Sequence, residues 1–224
     1  MKTFLIEKKF IYLLLFFSLV QIGLFNHEIW RDEGQVLNIA IELSFFEILK
    51  ISRIEGFFPI HQFTVKIFYL ITNDKVLSLK LFNSLFFLIF LIVLEKSKKI
   101  PFLILIFLLC SHPILTNYSI IGRHYLALLP SIFYLTFYEN KSKAYENLNI
   151  SFLILTGIFG IIISASYVLV NFRRYYLYFL NIKNNKYLIL VFFSSLISLF
   201  FVLPFVDRDW NTFILRDFEE LIKL

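Results

Sequence analysis

Long apolar runs separated by short polar intervals organise this chain, at roughly 10–26, 77–94, 100–117, 124–138, 149–165, 166–181 and 187–206. Within each run the apolar residues follow one another without the strict alternation of a half-exposed strand or a membrane barrel. Such runs predict helices, which satisfy their backbone groups internally. Several are shorter than the ~20 residues of a straight bilayer span, so their ends are expected to reach into flanking polar residues. An eighth run, 58–72, begins at Phe58-Pro59 and carries His61, Gln62 and Lys66.

Whether 58–72 crosses decides the topology. If it lies at the interface or dips in without crossing, and the N-terminus is cytoplasmic, the interior segments hold Lys2, Lys8 and Lys9, then Lys96, Lys98 and Lys99. Lys141 and Lys143 follow, then Lys183 and Lys186. A full crossing would put the compact Glu95-Lys96-Ser97-Lys98-Lys99 cluster outside, against the positive-inside tendency. The expected architecture is therefore all-α and polytopic, with about seven transmembrane helices and 27–76 as a large external segment. Residues 1–206 form the membrane module. Residues 207–224 form a charged amphipathic external tail, with Asp217, Glu219 and Glu220 against Phe218, Leu221 and Ile222.

Inside the external segment, Gln35, Asn38 and Glu42 recur at helical steps among Val36, Leu37, Ile39, Ala40, Ile41 and Leu43. That spacing predicts an amphipathic helix over 35–43 lying along the membrane surface. Glu55-Gly56-Phe57-Phe58-Pro59 breaks it, and Pro59 suits the start of a second interfacial helix, because its missing N–H would be unsatisfied there anyway. The two helices are expected to roof the bundle.

Composition agrees. Hydrophobic residues make up 59% of the 224 positions and charged residues 17%, which excludes an ordinary soluble domain. The net charge of +6 comes from lysines in short loops, a topological signal rather than a nucleic-acid surface. A single cysteine, Cys110, excludes an intrachain disulfide and a cysteine metal cluster, and with His112 it reads as helix packing. Asn117, Asn140 and Asn149 each begin an Asn-x-Ser acceptor pattern. Lys2, Lys8 and Lys9 precede the first run as in a signal peptide, but Gly23-Leu24-Phe25-Asn26-His27 offers no small-x-small cleavage site. An uncleaved first helix is expected.

Candidate chemistry falls in three polar sites expected to converge on the external face. The first is Asp32-Glu33, beyond the first helix beside Trp30 and Arg31. A carboxylate there can deprotonate an acceptor hydroxyl while its neighbour holds a divalent metal or orients the base. The plainer reading is an interfacial anchor in the aromatic belt. The second is Asn117-Tyr118-Ser119-Ile120-Ile121-Gly122-Arg123-His124-Tyr125, where Arg123 offers a planar fork of donors for phosphate, or anchors a helix end. The third is His61 and Gln62, with Lys66 a turn further on and Lys80 and Asn83 facing the same cavity. A lone histidine here is more often a hydrogen-bonded interfacial residue than a catalyst. Adjacent Arg173 and Arg174, inside a nominal span, read as snorkelling or as a short helix.

The order of these motifs resembles the C-type (GT-C) membrane glycosyltransferases, and within them the bacterial members of the protein-mannosyltransferase superfamily. The resemblance runs to about residue 206 and rests on several motifs in order. Asp32-Glu33-Gly34 is similar to the family's Asp-Glu-Ala, which implies Asp32 as catalytic base. Gly56-Phe57-Phe58-Pro59-Ile60 stands where the family has a Gly-His-Pro-Pro-Leu type sequence, and Lys80 replaces an arginine. Tyr118-Ser119 and Arg123-His124-Tyr125 match Tyr-Ser-x-Glu-Ala-Arg-x-Tyr, which implies that Arg123, with Lys80 and Tyr125, contacts donor phosphate. Tyr118, His124, His61 and Gln62 would line the acceptor cavity.

The implied activity is transfer of a sugar from a polyprenyl-phosphate donor to a lipid, glycan or protein acceptor on the external face, by a single inverting displacement. The pattern's glutamate is Ile121 here, and Ser166-Tyr167 stands where relatives often carry His-Tyr. Family members also continue through further helices. These departures favour a second reading, a non-catalytic membrane subunit that binds lipid carrier or a partner subunit completing the site. A small transporter is the third, though neither broken helix pairs nor internal symmetry is visible.

Overall fold

The computed structural model describes residues 2–55, 58–97, 100–111, 114, 120–121, 124–138, 142–180 and 187–202. Among these the chain is all helical, with no strand.

Helix α1 (Lys2–Asn26) and helix α5 (Lys75–Lys96) are antiparallel partners. Their contacts fix two ends of the bundle. At one end Lys9 Nζ donates to the carbonyls of Leu94 (2.7 Å), Glu95 (3.1 Å) and Ser97 (2.8 Å), groups that the end of α5 leaves unsatisfied. At the other, Lys80 Nζ donates to Phe25 O at 2.8 Å. Midway, Ser84 Oγ donates to Gln21 Oε1 at 2.5 Å. Between these ties Phe82, Phe87, Phe90 and Leu94 of α5 are buried with Leu13 and Val20 of α1, and the Phe17 and Phe87 rings stack. Burying one such phenyl ring stabilises the packed state by roughly 1.5–3 kcal/mol relative to water.

Between α1 and α5 come α2 (Arg31–Glu42), α3 (Phe45–Glu55) and α4 (Ile60–Thr72). The predicted helix over 35–43 starts four residues earlier, because Glu33 bonds the backbone at its start. Its polar stripe behaves as expected: Gln35, Asn38 and Glu42 are exposed, while Leu37 and Ala40 are buried. α3 is a separate helix that the apolar pattern does not reveal. Ser44 opens it, with both its hydroxyl and its N–H donating to Glu47 Oε2 at 2.7 Å in a capping box. The serine hydroxyl, then its N–H, hold the Glu47 carboxyl below its ordinary pKa.

α4 returns toward α5 through a tight turn. Asn73 sits in the left-handed region (φ 53°) and Asp74 accepts from Leu77 N–H at 2.9 Å as N-cap. α4 therefore lies antiparallel along the first half of α5, and His61 meets Phe82 two turns below the tip.

The second half departs from the expected spans. The run 100–117 opens with α6 (Phe102–Leu109) and turns at Cys110-Ser111; most of 112–119 lies outside the described residues. The run 124–138 begins as a 3-10 turn, His124–Ala127, and continues as α7 (Leu128–Phe137). The predicted span 149–165 is interrupted at Thr156-Gly157, where Gly157 takes φ 112°, a conformation that disfavours a side chain. It becomes two antiparallel helices, α8 (Lys143–Leu155) and α9 (Ile158–Val170). The run 166–181 likewise breaks at Asn171, after which α10 (Phe172–Leu180) begins. α11 (Tyr187–Val202) covers most of the last run; residues 207–224 lie outside the described residues.

Among the described residues, only α1 and α5 are both long and apolar enough to cross a membrane on their own. The 13-residue α8 and α9 each span about 20 Å at 1.5 Å per residue. Cys110, expected in helix packing, is exposed at the end of α6.

Candidate functional site

Polar side chains gather at the end where α1 stops and α5 starts. Trp30 N–H donates to Glu33 Oε2 at 2.8 Å, and His27 Nε2 lies 3.0 Å from the same oxygen. Glu33 is 1% exposed. A carboxylate in the first turn meets both an unsatisfied amide and the positive end of the helix dipole, which is why the chain turns into a helix here. Asp32 is one position earlier, about 100° round the helix, and is exposed. The doublet is therefore split: one carboxylate is directed into the protein and the other outward.

On α4, His61 and Gln62 are both buried, and the His61 ring lies 4.2 Å from that of Phe82. Lys66 belongs elsewhere. Its Nζ donates to Ala40 O (2.9 Å) and Leu43 O (2.7 Å), closing the carboxyl end of α2. Lys80 similarly caps the carboxyl end of α1 through Phe25 O and lies over the Phe25 ring.

Asn83 is fully buried. Its Nδ2 donates to Ile120 O at 3.2 Å, while Oδ1 meets no partner among the described residues. Ile120 also packs onto α1 so closely that a Cβ on Gly23 would come within 3.0 Å of its Cδ1. Ile121 is buried, and the 3-10 turn His124–Ala127 packs against both α4 and α5.

The backbone of His124 and Tyr125 thus reaches the same end as His61, Gln62, Lys80 and Glu33. Their side chains, and Tyr118 and Arg123 altogether, lie outside the described residues. The arrangement offers a buried acceptor on Asn83, an imidazole on α4 and an outward carboxylate on α2, groups able to engage a hydroxyl-rich or phosphorylated headgroup. The two carboxylates of the doublet do not converge: Glu33 Oε2 accepts from Trp30 N–H inside the protein, whereas Asp32 is exposed.

Sequence reasoning missed two partnerships. His27 was not connected with Glu33. At the other end of the bundle Glu146, 0% exposed, accepts from Arg174 and from Tyr167 Oη (2.7 Å). An acidic residue immediately before an apolar run was the available signal. Drawing that run from residue 149 set Glu146 aside; of the two readings of Arg174, snorkelling or a short helix, the short helix holds as α10, and the residue is in addition one half of an ion pair.

No protein-family model matches the chain, and no curated protein or solved structure matches it either.

Proposed function

We propose that the chain is a polytopic membrane protein of GT-C type, and that it transfers a sugar from a polyprenyl-phosphate donor at the Glu33–His61–Asn83 end of the bundle. The membrane reading is supported by large apolar side chains left exposed on several passes. Examples are Leu15 and Leu19 on α1, Leu88 and Ile92 on α5, Phe107 on α6, Phe159 and Ile162 on α9, and Phe192 and Leu196 on α11. Apolar surface on this scale is covered by lipid or by protein. The N-terminus and the Lys9–Ser97 end would be cytoplasmic, with the Lys80 end external.

One observation carries the transfer reading: the acidic doublet, the dipping helix α4 and the 3-10 turn after Arg123 meet at one end, as a donor-phosphate site beside a base requires. Asp32 is the base, being the carboxylate that faces outward. Lys80 and Arg123 neutralise the leaving phosphate. Glu33 positions the turn that presents Asp32.

A second reading is a non-catalytic subunit that keeps the fold and binds carrier lipid. It is favoured by Ile121, an apolar buried residue at the pattern's acidic position. Radiolabelled sugar transfer in membranes carrying wild type or Asp32→Asn, at matched protein level, separates the two. Transfer that disappears in the variant supports the enzyme. Donor binding without transfer from either chain supports the subunit, and undiminished transfer by Asp32→Asn removes Asp32 as base.

A further inference from the structure

α10, like α2 to α4, is a short helix that joins longer parts of the bundle. α9 is closed at Asn171, whose Nδ2 donates to Tyr167 O at 2.9 Å, and the chain leaves its direction there. α10 is then tied to the end of the bundle by two consecutive side chains: Arg174 pairs with Glu146, and Tyr175 is buried in the α7–α8 core. The other described side chains of α10 point away. Phe172, Arg173, Tyr176 and Leu177 are all exposed.

At about 100° per residue these four occupy one arc of roughly 140°, with Arg173 near its middle. The Phe172 and Tyr176 rings stack one turn apart on its flank. Aromatic and leucine side chains around an arginine are the pattern of a helix lying in a headgroup layer, rings at the acyl boundary and guanidinium among the phosphates.

Charge at this end fits an anionic surface. The carbonyl ties of Lys9, the Ser97 Oγ bond to Phe137 O and the Glu146–Arg174 pair bring Lys96, Lys143, Arg173 and Arg174 to the same end as Lys9. Against these five cations the described carboxylates are Glu95 and Glu146, and Glu146 is already paired.

We propose that α10 lies flat in the membrane leaflet at the Lys9–Ser97 end, where its Arg173-centred arc binds anionic phospholipid headgroups. The inference rests on the polytopic reading but not on sugar transfer. A polybasic contact contributes about 1 kcal/mol per cation near such a surface, roughly a fivefold change in lipid preference.

The full chain purified into nanodiscs of phosphatidylcholine with phosphatidylglycerol tests it. Native mass spectrometry should find phosphatidylglycerol retained over phosphatidylcholine, the preference falling roughly fivefold in Arg173→Gln and persisting in Arg173→Lys. In a Cys110→Ser background, a fluorophore on Tyr176→Cys should be quenched by doxyl groups on lipid and shielded from aqueous iodide. A probe on Leu15→Cys of α1 serves as reference. Iodide quenching at Tyr176→Cys with lipid quenching at Leu15→Cys overturns the α10 proposal and leaves the membrane reading intact. Lipid quenching at neither removes both. Equal lipid retention by wild type and Arg173→Gln also overturns it.

Discussion

Two buried carboxylates sit at opposite ends of the bundle and are held by different chemistry. Glu33 leans on a backbone amide and a histidine, whereas Glu146 leans on a guanidinium and a phenol. Removing the charge from Glu146 leaves Arg174, whose side chain is 38% exposed, without its counter-ion, so water offsets part of the loss that a fully buried pair would suffer. Glu146→Gln is expected to lower stability by up to about 3 kcal/mol, with Arg174→Gln in the same chain recovering part of the loss. Thermal unfolding in detergent, compared across the double-mutant cycle, measures it. A pair worth nothing would give additive single and double variants.

The α8–α9 hairpin depends on Gly160. A Cβ there would stand 1.8 Å from the carbonyl oxygen of Leu153, so even Ala forces the two helices apart. Gly160→Ala is expected to cost about 1–3 kcal/mol by overpacking, more than helix propensity returns. Gly34→Ala, with open space around it, should be neutral or stabilising in the same unfolding assay. This hairpin also marks where the sequence stopped being legible. The 35–43 helix could be read because its polar stripe follows the helical period. Thr156-Gly157 sits inside a continuous apolar run, where periodicity is silent and one glycine is a weak turn signal. The break at Asn171 was hidden in the same way, and the missed Glu146–Arg174 pair followed from misplacing both helices.

For the whole molecule, the proposed polytopic reading and the lysine distribution together imply one orientation, with the Lys9–Ser97 end cytoplasmic. Lys75 and Lys96 are exposed at opposite ends of α5. In a Cys110→Ser background, Lys75→Cys should react with a membrane-impermeant maleimide in intact cells, and Lys96→Cys only after permeabilisation. The reverse pattern would invert the topology and move the candidate site to the cytoplasmic face. The packing of the His124–Ala127 turn against α4 and α5 could not be read from apolar pattern, because it depends on tertiary contacts. Which carboxylate of the doublet faces inward was not legible either, because side-chain direction depends on where α2 begins, and Glu33 helps to set that start.

The three carbonyls that hold Lys9 belong to residues 85 to 88 positions further along the chain. A ribosome must therefore complete α2 through α5 before the first helix can be fastened. Until Ser97 emerges, the Lys9 ammonium lacks the three carbonyls that hold it. α2, α3 and α4 are made during that interval, so the helix synthesised first is fastened at this end only after four others exist.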